Sequence, residues 1–537
     1  MKVPDPESTP RMDVSMEELE ALLEQARQEP LREEGYQKLL AAVRTLHYVT
    51  KLLEKKEITL AALRELLCAA STEKTEKVLK QAGLETGGQK PVGSSKKPRR
   101  AAPGHGRNAA AAYRGAEKIP VPHGFLKPGD VCPHGCGGKV YPQREPGVLV
   151  RIKGQPPLAA AVYELEKLRC NLCGDVYTAA APPEAGDKKY DETAVSMMAV
   201  LRYGSGVPWN RTAGLEANFG IPLPAATQCQ ILTAHAVTLQ PALEELKRQA
   251  AQSEVVHNDD TSMRVLSLER DTDISPERTG VFTSGLVWIL QKLRIALYFT
   301  GCKHAGENLA EVLKLRSPEL PPIIQMCDAL SRNVPKIVET LVANCNAHGR
   351  RNFVKVTANF PEPCRFVLEA FREIYRYDAG TRKQGMSPEE RLAFHQEHSK
   401  PVMDKLHAWI EAQFEQRLVE PNSGLGQAIS YLLNHWQKLT LFLEKAGVPL
   451  DNNIVERALK KAILHRKNSL FYKTRNGAQM GDLFMSLIHT CELNDVNAFD
   501  YLTELLRHAE ALKQNPSEWM PWNYRDTLAR LATPAAA

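Results

Sequence analysis

Three carboxylates lie far apart in the chain, in contexts that suit divalent-metal chemistry. Asp259 is inside "EVVHNDDTSMRVL", Asp328 ends "PPIIQMCDAL", and Glu456 follows the loop in "VPLDNNIVERALKKA". Carboxylate oxygens are the donors that hard cations such as Mg2+ or Mn2+ prefer, and three acids suit two ions. Two ions about 4 Å apart can activate a water or a 3′-hydroxyl and stabilise the leaving oxygen during in-line attack on phosphorus. Each acid also has a plainer reading. Asp260 competes with Asp259, although strand alternation puts His257, Asp259 and Thr261 on one face and Asn258 and Asp260 on the other. Asp328 could cap a following helix, and Glu456 could pair with Lys460 one turn on. The set is more informative than its members.

A second set is built from sulfur. Cys132 and Cys136 in "VCPHGCGGKVYP", with Cys170 and Cys173 in "LRCNLCGDVYTA", form two knuckles, each followed by a glycine that lets the backbone turn tightly. Four thiolates close a tetrahedral structural Zn2+ site, so residues 122–182 read as a zinc ribbon. His134 is a substitute ligand in that arrangement.

The acids need a scaffold. Over 254–330, "EVVHNDDTSMRVL", "TGVFTSGLVWIL" and "KLRIALYFTG" read as three consecutive strands, "ENLAEVLKLR" as a helix and "PPIIQMCDAL" as a strand ending at Asp328. A helix over "VPKIVETLV" and a short strand over "ANCNAHGRRNF" complete a β-β-β-α-β-α-β order, which fits an RNase H-like fold. Residues 353–447 read as an all-helical insertion. "RFVLEAFREIY" is followed by a break at "DAGTRKQGMS", then Ser387, Pro388 and Glu390 start a new helix, and "GLGQAISYLLNHWQKLTLFLEKAG" is one long amphipathic helix. Asp451 or Asn452 caps the helix bearing Glu456. Asn452 and Asn453 lie at i−4 and i−3 to it, where they can orient the carboxylate or a bound water.

The fold class is therefore multidomain α+β: an RNase H-like α/β core with an all-α insertion, a zinc ribbon and an N-terminal helical region. The 537 residues carry a net charge of +6, 25% charged and 43% hydrophobic residues, and eleven cysteines, an odd number that does not suit a secreted disulfide framework. No stretch approaches a membrane span, so a cytoplasmic location is expected. Residues 1–85 show Tyr36, Leu39, Leu40, Val43, Leu46 and Leu53 at helical spacing after breaks at Pro30 and Gly35, as a small bundle or a short coiled coil that pairs two chains. Residues 86–121 form a linker in which Lys96, Lys97, Arg99, Arg100 and Arg107 have almost no acidic balance, either plainly solvated or a basic arm along phosphates. Residues 183–252 are helical, and "VPWNRTAGLEANFGIPLPAATQCQIL" has helix-turn-helix character. From Arg457 to Arg475 the chain has no acid while Arg457, Lys460, Lys461, His465, Arg466 and Lys467 follow one another, which points to phosphate contacts. Arg350 and Arg351 read as further phosphate clamps, and His348 as a positioning or a structural residue. The core then comprises 253–352 and 448–495, the insertion 353–447, and a C-terminal helical element 496–537.

These residues also carry a resemblance. "DNNIVERALKKAILHRKNSLF", with "SLIHTCELNDVNAFDYLTELL" downstream, resembles the C-terminal part of IS66-family transposases; "CNAHGRRNF", "HNDDT" and "PSEWMPWNY" resemble further segments of that family, and its Cys-rich ribbon, basic arm and leucine-patterned N-terminal helix have counterparts here in the same order. The family is of the DDE type. The resemblance implies DNA strand cleavage and joining at the terminal inverted repeats of an insertion sequence, with Asp259, Asp328 and Glu456 as the acids. It also implies double-stranded DNA as partner, a homodimer or higher homo-oligomer, and small accessory proteins of the element. Two departures stand out: Asp260 where the family usually has Glu, and "CDALSRN" where many members have Asp-Gly-Tyr. The rival readings are an inactive, DNA-binding regulatory descendant and a scaffold of zinc and coiled coil.

Overall fold

The computed structural model of the chain describes residues 175–269 and 280–532 without a break, most of 118–142 and 152–173, and residues 25, 26, 35, 36, 75, 78 and 79. The chain divides into two compact units, 1–81 and 82–537. In the first, all seven described residues are helical, including Gly35, where the sequence suggested a break. The leucine stripe and the basic linker, with Lys96, Lys97, Arg99, Arg100 and Arg107, lie outside the described residues.

Among the described residues of the second unit, two small hairpins come first. Val131 bridges Lys139, and β1 (Lys167–Arg169) pairs with β2 (Val176–Thr178). Helix α1 (Glu192–Ala199), capped by Asp191, runs into a π turn over Val200–Gly204. Next come α2 (Trp209–Asn218) and the long α3 (Ala225–Ala250). The central sheet follows. β3 (Val255–Ser262), β4 (Phe282–Leu290) and β5 (Leu293–Gly301) are antiparallel neighbours. After α4 (Ala305–Leu313), β6 (Ile324–Cys327) pairs parallel to β3 and β7 (Leu341–Asn344) parallel to β6. The mixed five-stranded order β5-β4-β3-β6-β7 is consistent with the RNase H-like expectation.

Two elements differ from the sequence reading. No helix forms over 334–340. A 3-10 turn at Ser331–Asn333 is followed by Val334 in extended geometry, φ −95 and ψ 130, because the ring of Pro335 disfavours the helical region for the residue before it. The last strand therefore ends at Asn344, and "CNAHGRRNF" is the start of α5 (Asn346–Val356), so His348, Arg350 and Arg351 sit on a helix.

The insertion is helical as expected. α6 (Pro361–Lys383) runs six residues into the anticipated break. Its buried Asp378, held by Arg382 one turn on and by Arg391, favours the extra turns. α7 (Pro388–Glu415) starts with the Ser387/Glu390 capping box, and α8 (Gly424–Leu439) stops earlier than the sequence suggested. These helices pack on one another, on α5 and on β7. Then come α9 (Asn453–Ser469), α10 (Arg475–Leu493), α11 (Ala498–Arg507), α12 (Ala509–Gln514) and α13 (Tyr524–Ala532).

The edge strand β5 is closed by α10. Asp482, Ser486, Thr490 and Asn494 accept from the backbone N–H groups of Thr300, Tyr298, Ala296 and Arg294 at 2.6, 3.0, 3.1 and 3.1 Å. Four helical residues rise about 6 Å and two strand residues about 6.8 Å, so a polar stripe at i+4 matches every second strand donor. An edge that could otherwise recruit another strand is covered.

One hydrophobic core joins α1, α3, the sheet, α9 and the C-terminal helices, with Met198, Leu239, Trp288, Val455, Tyr501 and Trp519 all within it. The regions read as 183–252 and 496–537 thus share the core of the sheet. Among the described residues, no helix is long and apolar enough to cross a membrane.

Candidate active site

Strand β3 presents its alternate residues as the sequence implied. Asp259 pairs in register with Gly285 of β4, and Gly285 faces α9: a Cβ built there would lie 2.8 Å from Leu459 Cδ2 and 3.5 Å from Val455 Cγ2. The missing side chain is what lets the helix carrying Glu456 come so close to the strand carrying Asp259. Asp260 points the other way. Ser284 donates to it at 2.7 Å, His304 lies at 3.0 Å, and its side chain is 1% exposed. Asp260 is thereby committed to the opposite face of the sheet.

Asp328 follows the last residue of β6, next to β3. Its Oδ1 accepts from Leu330 N–H at 3.2 Å, but it caps no helix: the 3-10 turn that follows starts from Leu330 without a side-chain cap. The amide of Asn333 in that turn donates to Oδ1 of Asp328 and reaches Oδ1 of Asp259 at 3.4 Å. Asn333 is fully buried, and its backbone carbonyl accepts from Asn258 and Gln325, which fixes it over the end of the sheet. Sequence reasoning missed this residue. Its only signal was a side-chain amide five positions after an acid.

Glu456 lies in the first turn of α9. The N-cap position is Asn452, whose side chain does not cap the helix; Oδ1 of Asp451, just before it, accepts from Asn453 N–H at 3.1 Å. Asn452 does not orient the carboxylate, as the sequence suggested. It is fully buried, donates to Asn258 O at 3.0 Å and meets His257 Nδ1 at 3.1 Å, so it ties the helix start to β3. Glu456 turns toward α5, with Oε1 3.7 Å from His348 Nε2 and Oε2 3.4 Å from Arg351 Nη2. His348 also feels the charge of Asp328. Asn333 therefore joins Asp259 to Asp328, while Glu456 is held beside His348 and Arg351 on α5.

The electrostatics reflect crowding. Burial, together with the neighbouring charges of Asp328 and Asp260, raises the Asp259 carboxyl to about 7, against hydrogen bonds from Asp260 N–H and Asn333. Burial lowers the His348 imidazole below its usual value, with Glu456 pulling it up and Arg351 pushing it down. Oε1 of Glu456 is buried without a hydrogen-bond partner. A partly protonated buried acid and an orphaned carboxylate oxygen fit a site that receives cations.

Of the basic residues on α9, Arg457, Lys460 and Lys467 are exposed. Lys461 is held by Glu492 at 2.7 Å and by Gly204 O at 3.0 Å, while Arg466 donates to Thr261 and Ser262. His465 is buried, stacked on Tyr472 and 2.8 Å from Arg202; burial and that guanidinium lower it to about 3, so it is a neutral core residue.

At the cysteine knuckles, Cys132 N–H donates to Gly138 O at 2.8 Å. Cys136 is held below the usual thiol range by the Gly138 backbone and the Cys132 thiol. Cys173 lies in the turn between β1 and β2, and Cys170 lies outside the described residues.

A family model for DDE-type transposases matches residues 188–480, more than half of the chain and the whole span from α1 into α10. That model describes the IS66 transposase family, and the chain belongs to it. The chain is similar to the uncharacterized protein y4hP of Sinorhizobium fredii, 26% identical over 404 residues, which cover 69% of each protein. It is also similar to y4jD of the same organism, 32% identical over 189 residues covering 34% of this chain and 36% of that protein.

Proposed function

We propose that the chain is a DDE-type transposase that binds the terminal inverted repeats of its insertion sequence and catalyses metal-dependent strand cleavage and strand transfer. The observation that carries this reading is the Asn333 bridge between Asp259 and Asp328, with the helix of Glu456 packed against Gly285 opposite Asp259, in a chain that belongs to a transposase family. Asp259, Asp328 and Glu456 would hold two Mg2+ or Mn2+ ions, which when bound supply an activated nucleophile and a stabilised leaving oxygen. The chain's own residues prepare the site. Asn333 holds the first two carboxylates together against their repulsion, and Arg351 and His348 aim Glu456. Asn452 and Gly285 seat α9 against β3 and β4.

The partner is double-stranded DNA, both element ends and target. Exposed Arg457, Lys460 and Lys467 are the phosphate contacts on α9, and Arg350 and the basic arm of Lys96, Lys97, Arg99, Arg100 and Arg107 extend the track. Cys132, Cys136, Cys170 and Cys173 hold a structural Zn2+, supported by the tight turn that Cys132 N–H and Gly138 O close at the first knuckle and by the β1–β2 hairpin that carries Cys173. Assembly as a homodimer or larger homo-oligomer, aid from small accessory proteins of the element and a cytoplasmic location complete the reading. None of the three acid positions is replaced by a neutral residue, which favours the enzyme over an inactive DNA-binding descendant.

The test is cleavage of a labelled element end in Mg2+, comparing the parent with Asp259→Ala, Asp328→Ala and Glu456→Ala. Loss of cleavage in all three with retained end binding supports the assignment. Full activity in any one of them removes that residue from the site.

A further inference from the structure

Beside the oxygen-rich centre lies a group of different chemistry. The Cys345 thiol, an imidazole nitrogen of His348 and a carboxylate oxygen of Glu456 all lie within 4.8 Å of one another. Ligand atoms around a tetrahedral zinc ion, about 2.0–2.3 Å from it, sit roughly 3.5 Å apart, so a contraction of about 1 Å closes the set. We propose that Cys345, His348 and Glu456 form a transition-metal site for a borderline ion such as Zn2+, and that its occupation withdraws Glu456 from the catalytic centre and inhibits strand cleavage.

Four observations support the site. Cys345 is the residue just before α5, at the positive end of that helix dipole. Asn452 N–H donates to its sulfur at 3.2 Å. Such a donor stabilises a thiolate bound to a metal. The other two members each carry a buried atom without a hydrogen-bond partner, His348 Nδ1 and Glu456 Oε1. The spacing Cys345 to His348 is one helical turn, which brings both ligands to one side of the start of α5, facing the first turn of α9. Thiolate and carboxylate supply the two negative charges that neutralise a dication, and sulfur with imidazole selects zinc over magnesium. The opposing group is Arg351, 3.4 Å from the other oxygen of Glu456.

Burial raises the Cys345 thiol to about 11, so it is protonated in the free protein. Binding exchanges that proton for the S–Zn bond: Cys345–SH plus Zn2+ gives Cys345–S−–Zn2+ plus H+, while His348 would bind through its neutral imidazole and Glu456 as a carboxylate.

The binding arm stands without the proposed catalytic role of Glu456; the inhibition arm rests on it. The full-length protein is titrated with Co2+ alone, and the thiolate-to-cobalt absorption is compared with Cys345→Ser, His348→Asn and Glu456→Gln. The ribbon cysteines contribute equally to all four, so the difference isolates this site. The parent should bind one more equivalent than Cys345→Ser, and His348→Asn should weaken that equivalent at least about tenfold. In the cleavage assay with Mg2+ in excess, added Zn2+ should inhibit the parent, with the half-inhibiting concentration raised at least about tenfold in Cys345→Ser. Thermal melts identify a variant that fails to fold, in which case the remaining two decide. Equal cobalt binding by the parent and every folded variant overturns the site. Cobalt binding with no effect of zinc on an active parent overturns the inhibition, and a parent without cleavage activity counts against the function proposed above while the cobalt result still decides the site.

Discussion

Replacing Gly285 by alanine probes how α9 is held against the sheet. The new Cβ would sit 2.8 Å from Leu459 Cδ2 and 3.0 Å from its Cγ, where ordinary contacts are near 3.8 Å. Relief requires Leu459, which is 3% exposed, to change rotamer or the helix to retreat by up to about 1 Å. Overpacking of this kind costs about 1–3 kcal/mol. Replacing glycine within a strand returns roughly 0.5–1 kcal/mol, so the net loss of stability is small. Activity should suffer more. Glu456 is carried by the same turn as Val455, and a displacement of about 1 Å in a catalytic group costs on the order of 100-fold in rate. The assay pairs a thermal melt with single-turnover cleavage of an element end in Mg2+. The prediction is a melting point lowered by a few degrees and cleavage lowered by about two orders of magnitude. Gly285→Ala with full cleavage activity would refute the idea that this contact sets the position of Glu456. So would activity falling only in proportion to the folded fraction.

Three more outcomes follow from the same geometry. Asn333→Ala removes the donor shared by Asp259 and Asp328. The metal-free protein should lose about 1.5–3 kcal/mol in denaturant titration, with saturating Mg2+ closing most of the gap; an equal loss with and without the ion contradicts the bridging role. Asp259 holds its proton to about 7 in the fold against 3.8 in a free chain, so the folded state binds more protons than the unfolded state between these values. Stability of the metal-free protein should therefore fall as pH rises through that window, and Asp259→Asn should flatten this part of the melting-point profile. Lys460→Ala and Lys467→Ala should each lower the slope of log affinity against log salt by up to about 0.9 on DNA; Lys461→Ala, whose ammonium is engaged by Glu492 and Gly204, should change it less.

The sequence made legible those parts of the fold governed by short-range rules. Alternation along β3 separated Asp259 from Asp260, and the structure adds the reason, since Ser284 and His304 occupy Asp260. The Ser387–Pro388–Glu390 signal marked the start of α7 because capping is a local interaction. Misreadings arose where distant contacts decide. The segment 334–342 has the apolar content of a helix, yet Pro335 makes its first part a bend and the pairing of β7 with β6 makes a strand from Leu341. Asn452 looked like a neighbour of Glu456 by helical spacing, but its side chain reaches across to His257 and Asn258, some 195 residues earlier. Asn333 and Gly285 carry no motif, and their roles exist only once β3, β4, β6 and α9 are assembled.

Asp259, Asp328 and Glu456 are proposed to grip divalent ions together. A crystal structure of the chain bound to a cleaved element end and soaked in Mn2+, phased to show anomalous scattering, tests it directly. Two anomalous peaks about 4 Å apart are expected, with oxygens of all three side chains in their coordination spheres. Peaks that engage only two of the acids, or manganese bound elsewhere on the DNA-engaged protein, would contradict it.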